Sequence, residues 1–198
     1  MCASHRALQA NSFKFKPIFV CYSMEMQQLD REQFISLLKT QRVKQRLTRE
    51  LRFIPEDIAD WSSLELLSIA ARSKGEGLLL IELDELYVIP YELMLAVADK
   101  ATGRSKPITC DFCLTWQRGS NAGRITFERA SDKHKFTYLC CGDLQCSLHI
   151  RGQTPQAMLS RTQLREDTTV EQRIARLQER VMRIITTLGA EPVDRITR

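Results

Sequence analysis

Apolar positions recur at helical spacing at both ends of the chain and at strand-like spacing in its middle. Asp30 and Gln33 form a capping box ahead of Phe34, Leu37, Leu38 and Leu47, which read as one helical apolar face. Pro55, followed by Glu56 and Asp57, has the make-up of a second helix start: proline at the first helical position gives up no needed N–H, and the acids suit the positive end of the dipole. Ile58, Trp61, Leu64 or Leu66, and Leu67 would be the buried side of that helix, with Gly75 and Gly77 ending it. From Leu78 the pattern turns extended. Residues 78–83 are strand-length with Glu82 inside them, Asp84 and Glu85 suit a tight connection, and 86–89 and 91–97 continue as strands. Pro90 cannot donate to a ladder and suggests an edge or a bulge. A polar stretch at 101–107 is the one good boundary candidate, and 124–130 and 135–141 alternate as strands around a turn at 131–134. Thr168 and Glu171 then suggest a second capping box. Val170, Ile174, Leu177, Val181, Ile184 and Leu188 follow at helical spacing, with Gly189 as the stop and Pro192 beyond it.

These elements predict an α+β protein: a short helical N-terminal part, a small antiparallel sheet, a compact metal module and a C-terminal amphipathic helix. Residues 1–25 read as a poorly structured extension, with Met24 or Met26 as an alternative start, residues 26–75 as a helical segment, and residues 76–198 as a β-rich region ending in the helix. Arg173, Arg176, Arg180 and Arg183 lie off the apolar stripe of that helix, which is expected to lie on the module or the sheet; a dimerising or partner-binding helix is the sharper alternative.

Composition narrows the class. With 198 residues, 43% of them hydrophobic and 27% charged, the chain can bury a core. No apolar run is long enough to span a bilayer, and the patch at 17–22 is too short for a secretory leader. Seven cysteines are an odd number, and five of them, Cys110, Cys113, Cys140, Cys141 and Cys146, fall close together. That distribution points to a reducing compartment, the cytoplasm, with thiolates used for metal. The net charge of +5 is uneven: residues 101–198 carry 16 Lys and Arg against 10 Asp and Glu, which is +6, and the first 100 carry 13 against 14, which is −1. The cysteine-rich half is the basic half, so an acidic protein face or a nucleic-acid backbone is the natural partner class.

The cysteines carry the chemistry. Cys110 and Cys113 have the two-residue spacing that places two thiolates on one metal through a tight turn. A hairpin would return the chain to that knuckle, delivering Cys146 and one of the adjacent pair Cys140 and Cys141, with Asp143 as the N-cap of a helix whose first turn holds Cys146. Neighbouring strand residues face opposite ways, so only one of the pair can reach the metal. Cys141 is preferred and Cys140 is the alternative. Knuckle, hairpin and helix form a treble clef around one Zn2+. Four thiolates close the coordination shell, which argues for a structural ion and against an enzyme. An iron–sulfur cluster is the lesser reading of the same ligands. His149 reads as a partly exposed helix residue rather than a ligand. No acid pair, triad or phosphate-cradling loop presents itself, and Gly75-Glu76-Gly77 is too short for one.

The run Asp143-Leu144-Gln145-Cys146-Ser147-Leu148 with Arg151-Gly152, in register with Cys110 and Cys113 upstream and with the capped helix from Thr168 downstream, resembles the bacterial elongation factor G-binding protein family of the fusidic-acid-resistance type. The resemblance covers roughly residues 78–188, with the front half less well matched. It implies a zinc-dependent, non-enzymatic adaptor that binds elongation factor G and helps free the factor from the ribosome; apart from the resemblance, a last helix of under three heptads makes a monomer the expectation rather than a homodimer. The alternative is a module that binds ribosomal RNA or another nucleic acid, with Trp116, Phe127, Phe136 and Tyr138 near the site.

Overall fold

The computed structural model describes residues 26–194 apart from 42, 74, 96, 98–100 and 156–167. The N-terminal extension, with Cys2 and Cys21, lies outside the described residues. Helix α1, Arg31–Thr40, begins where the capping box requires: Gln33 N–H donates to Asp30 Oδ1 at 2.7 Å and Asp30 N–H to Gln33 Oε1 at 2.9 Å. It buries Phe34, Leu37 and Leu38 but does not run on to Leu47. At about 100° per residue, Leu47 would stand about 140° around a straight helix from Phe34. The chain breaks after Gln41 and restarts as α2, Gln45–Glu50, and that break lets Leu47 join the same core.

The stretch from Pro55 to Gly77 is not helical, in correction of the sequence pattern. Pro55–Asp57 is a single 3-10 turn, and Asp60 Oδ1 then accepts from both Ser62 N–H and Ser62 Oγ, a local turn that competes with helix. The next residues, Leu66–Ala70, form strand β1, paired along its whole length with β2, Glu76–Glu82. The apolar run that mimics a helix face is satisfied by this pairing, which sequence spacing cannot see. Gly77 lies inside β2 rather than at a helix end. A Cβ there would come within 2.5 Å of Ile69 O and of the Tyr91 hydroxyl.

Strand β3, Leu86–Leu95, pairs antiparallel with β2 across the expected turn at Leu83, Asp84 and Glu85. The two-residue strands β4, Ile108–Thr109, and β5, Trp116–Gln117, flank the knuckle. The hairpin β6, Ala122–Glu128, and β7, Lys135–Cys141, adds to β3 through residues 92–95, giving the sheet order β1-β2-β3-β6-β7. Leu93 N–H donates to Gly75 O, so the odd-numbered positions of β3 bond to β2 and the Pro90 nitrogen turns away, towards the side that β6 does not reach. Pro90 therefore sits at a local edge inside a central strand. The polar stretch at 101–107 does not divide the sheet, because β3 before it pairs with β6 after it.

Both faces of β2 are covered. Leu79 and Ile81 face one core with Phe112, Ile125, Phe127 and the last helix; Leu78 and Leu80 face a second core with Phe34, Leu37, Leu47 and Trp61. That is why 78–81 reads as a continuous apolar run. Helix α3, Cys146–Ile150, follows β7, and α4, Val170–Leu188, lays Leu177, Val181, Ile184, Ile185 and Leu188 into the first core. The helix thus packs on the chain's own module. Its cap is one residue later than the sequence suggests: Thr169 and Gln172 form the capping box, and Gly189 ends the helix at φ 58°. None of the helices in the described residues is long and apolar enough to cross a membrane.

Candidate metal centre

Three local devices bring the cysteines together. Between β4 and β5 the chain turns tightly, with Leu114 N–H donating to Cys110 O and Cys110 N–H to Thr115 O, and Leu114 takes a φ of 57°. Asp111 pins this knuckle to β7: its N–H donates to Leu139 O at 2.8 Å and its Oδ2 accepts Leu139 N–H at 2.7 Å. Arg180 of α4 donates to Asp111 O at 2.9 Å, so one of the helix's arginines works inward on the module. Cys141 then ends β7, and Cys146 opens α3.

The sulfurs of Cys110, Cys113, Cys141 and Cys146 lie within 4.8 Å of one another, and all four residues are buried. Cys113 and Cys141 are 3.5 Å apart, Cys110 and Cys146 3.8 Å, and Cys141 and Cys146 3.9 Å. A tetrahedron of ~2.3 Å zinc–sulfur bonds has edges of about 3.8 Å, so the four sulfurs already stand at single-ion spacing. An iron–sulfur cluster spreads its thiolates over separate irons and is the poorer fit. The thiols also need a cation. Shared hydrogen bonds, first with Cys110, hold Cys113 well below the usual thiol range and push Cys141 and Cys146 up, because sulfurs this close cannot all ionise alone. One dication removes that conflict, and these residues hold one structural zinc ion. All four positions of a tetrahedral shell are then protein sulfur.

Cys140 stands outside the group, so as an alternative third ligand it is corrected. Its residue is fully buried, paired across the hairpin with Gly123, where an added Cβ would come within 3.2 Å of its sulfur. Burial, then the charges of neighbouring groups, pushes its thiol up. It is a packing residue.

The N-cap of α3 is Gln145, with no side-chain bond; Asp143 instead accepts Gln145 N–H at 3.1 Å and closes the turn before it. His149 is buried, not partly exposed, with Nδ1 3.1 Å from Cys141 Sγ and Nε2 3.4 Å from Asp143 Oδ2. Burial alone would lower the His149 pKa, but Asp143 and the Cys113 sulfur raise it to about 9. The residue lies three positions after Cys146 and shares its helix face, the one signal in the sequence that it belongs to the site.

A second cluster, invisible in the pattern, ties α3 to the front of the chain. Ser147 Oγ accepts Glu65 N–H at 3.1 Å and Leu66 N–H at 3.4 Å, just where β1 begins. Arg151 forks onto Glu65, Nη2 to Oε1 at 2.6 Å and Nη1 to Oε2 at 3.0 Å, with the Glu65 side chain only 2% exposed. Residues Ser147 and Arg151 of the distinctive run thus fasten the metal helix to the sheet, and Gly152, at φ 69°, ends that helix. The aromatics near the site are largely committed: Phe127 is buried, and Phe112, Phe127 and Tyr138 pack edge-on or tilted against one another. Phe136 packs against His134 and under Arg129.

A family model described as the FBP C-terminal treble-clef zinc-finger matches residues 31–188. The match runs from the first residue of α1 to the last of α4, so the front half, with its helices and β1, belongs to the matched region as much as the cysteines do. No curated protein and no solved structure matches the chain.

Proposed function

The chain belongs to the FBP C-terminal treble-clef zinc-finger family, and from that membership we propose that it is a non-enzymatic adaptor which binds elongation factor G and promotes its release from the ribosome. The observation that carries this reading is the family match over the whole described domain. A closed four-sulfur shell supports it, since such a centre leaves no open position for substrate or water. The exposed cations Arg104, Lys106, Arg118, Arg124 and Lys133 cluster in the sequence around the knuckle and hairpin and give an acidic partner face something to meet. In this reading the protein acts on ribosome-bound elongation factor G and is cytoplasmic. Of the rings that would stack on bases, Phe127 is buried and Phe136 and Tyr138 pack against the core, which makes RNA the lesser partner.

The test is a calorimetric titration of the zinc-loaded protein into elongation factor G, repeated after treatment with a strong chelator. Saturable binding that chelation abolishes is expected. Zinc-loaded protein that gives no binding overturns the reading, and steeply salt-dependent binding to ribosomal RNA in its place favours the alternative.

A further inference from the structure

A buried polar chain runs into the metal centre from outside its ligand set. Gln117 of β5 is fully buried, and its Oε1 accepts from Asn121 Nδ2 at 2.8 Å. The same amide nitrogen donates to Asp143 Oδ2 at 3.0 Å. Asp143 Oδ1 is held in turn by Gln145 N–H at 3.1 Å. That carboxylate faces His149 Nε2 at 3.4 Å, and on the far side of the ring Nδ1 lies 3.1 Å from Cys141 Sγ. The His149 side chain has no exposure to solvent at all. Nothing in the core requires a polar ring at this place, since Ile150 beside it and Leu144 are apolar and equally buried.

We propose that His149 is an outer-sphere positioning residue of the zinc centre, with a proton on each ring nitrogen: Nδ1–H donates to the Cys141 thiolate and Nε2–H faces the Asp143 carboxylate, which Asn121 helps to hold in place. A zinc-bound thiolate keeps lone pairs that remain basic and nucleophilic. A hydrogen bond to one of them withdraws charge and makes that sulfur slower to react and slower to leave the metal. Cys141 is the ligand that gains most from such a guard. Its sulfur is the one that His149 Nδ1 faces, and it ends an edge strand, with Leu144 N–H on its carbonyl closing the turn into α3. The ring takes the role of guard rather than ligand because four sulfurs already fill the single-ion tetrahedron. Its partner Asp143 is likewise committed, by Asn121 and Gln145, to holding the ring.

The experiment uses the full zinc-loaded chain and two replacements, His149→Asn, which keeps an N–H donor near the Nδ1 position, and His149→Phe, which fills the space without one. Alkylation of each cysteine by iodoacetamide is followed by mass spectrometry, and the cobalt-substituted proteins supply the thiolate-to-metal charge-transfer spectrum. His149→Phe is expected to raise the Cys141 alkylation rate about tenfold or more and to move the charge-transfer band to lower energy, with Cys110 and Cys113 little changed. His149→Asn is expected to stay near the parent. An unchanged Cys141 rate in His149→Phe overturns the proposal, as do equal accelerations in both variants, which would mark the ring as mere filling. A cobalt spectrum of the parent with one nitrogen and three sulfurs overturns it too, since His149 would then be a ligand. Should His149→Phe fail to fold, Asp143→Asn carries the test: a smaller acceleration confined to Cys141 is expected, and none contradicts the proposal.

Discussion

Cys140 and Cys141 are neighbours on β7, yet only the second sulfur reaches the other three, because successive side chains of a strand leave on opposite sides. The difference sets a clear expectation for substitution. Cys140→Ala removes one buried sulfur beside Gly123 and should cost about 1 kcal/mol of stability while leaving one zinc per chain. Cys141→Ala should abolish stoichiometric zinc, and with it most of the ~10–16 kcal/mol that a structural site returns as folding energy. Metal analysis of the two purified variants, with urea unfolding of the first, checks both. Spacing alone could take the ligand set as far as this pair, since both the four- and five-residue gaps to Cys146 suit zinc. The burial of His149 was beyond it, because its spacing from Cys146 puts it on the ligand's helix face but does not say what its two nitrogens meet. The Glu65–Arg151 pair was also beyond it, being 86 residues apart.

At the level of elements, the fold is held by contacts between segments distant in sequence, and two of them can be tested separately. Removing Arg151 leaves the Glu65 carboxylate buried without its cation. Arg151→Ala should therefore cost about 3–5 kcal/mol in urea unfolding. Adding Glu65→Leu to an Arg151→Met background should recover most of the loss, since the penalty lies in the unpaired charge. A double variant no more stable than Arg151→Ala would show that the bond itself, rather than the stranded carboxylate, matters. Gly77→Ala drives a methyl group against Ile69 O and the Tyr91 ring and should cost about 3 kcal/mol by the same measurement. The C-terminal helix was legible because a long amphipathic repeat with a cap and a glycine stop is locally determined; even there the cap slipped by one residue, Thr168 and Thr169 being equivalent by type. Segment 55–77 was misread for the opposite reason. Its leucines and Trp61 recur at helix-compatible spacing, but β1 exists only because β2 is there to pair with it.

For the whole molecule, the sheet joins what the sequence divided. The helical front covers the Leu78, Leu80 and Val88 face of the same strands whose other face covers the zinc module. A fragment limited to residues 76–198 lacks β1, α1 and α2. It should show no cooperative thermal transition even with zinc and should bind an apolar dye; a sharp transition would contradict the two-faced core. The full chain stripped of zinc should lose the knuckle and the packing of α4 together, in one transition, because Phe112 and the ligand cysteines share a core with Leu177, Val181 and Ile185. The α+β class, the knuckle and the hairpin were legible from local patterns. The sandwiching of one sheet between two cores was not, since nothing local says which face of a strand with apolar residues on both sides meets which partner.

X-ray absorption at the zinc edge of the purified protein tests most directly the closed shell of four sulfurs around one zinc. Four sulfur neighbours at about 2.3 Å are expected, with no nitrogen or oxygen in the shell, and the same spectrum in Cys140→Ala. A nitrogen or oxygen at about 2.0 Å, or a shell altered by Cys140→Ala, would contradict the assignment of Cys110, Cys113, Cys141 and Cys146 as the ligands.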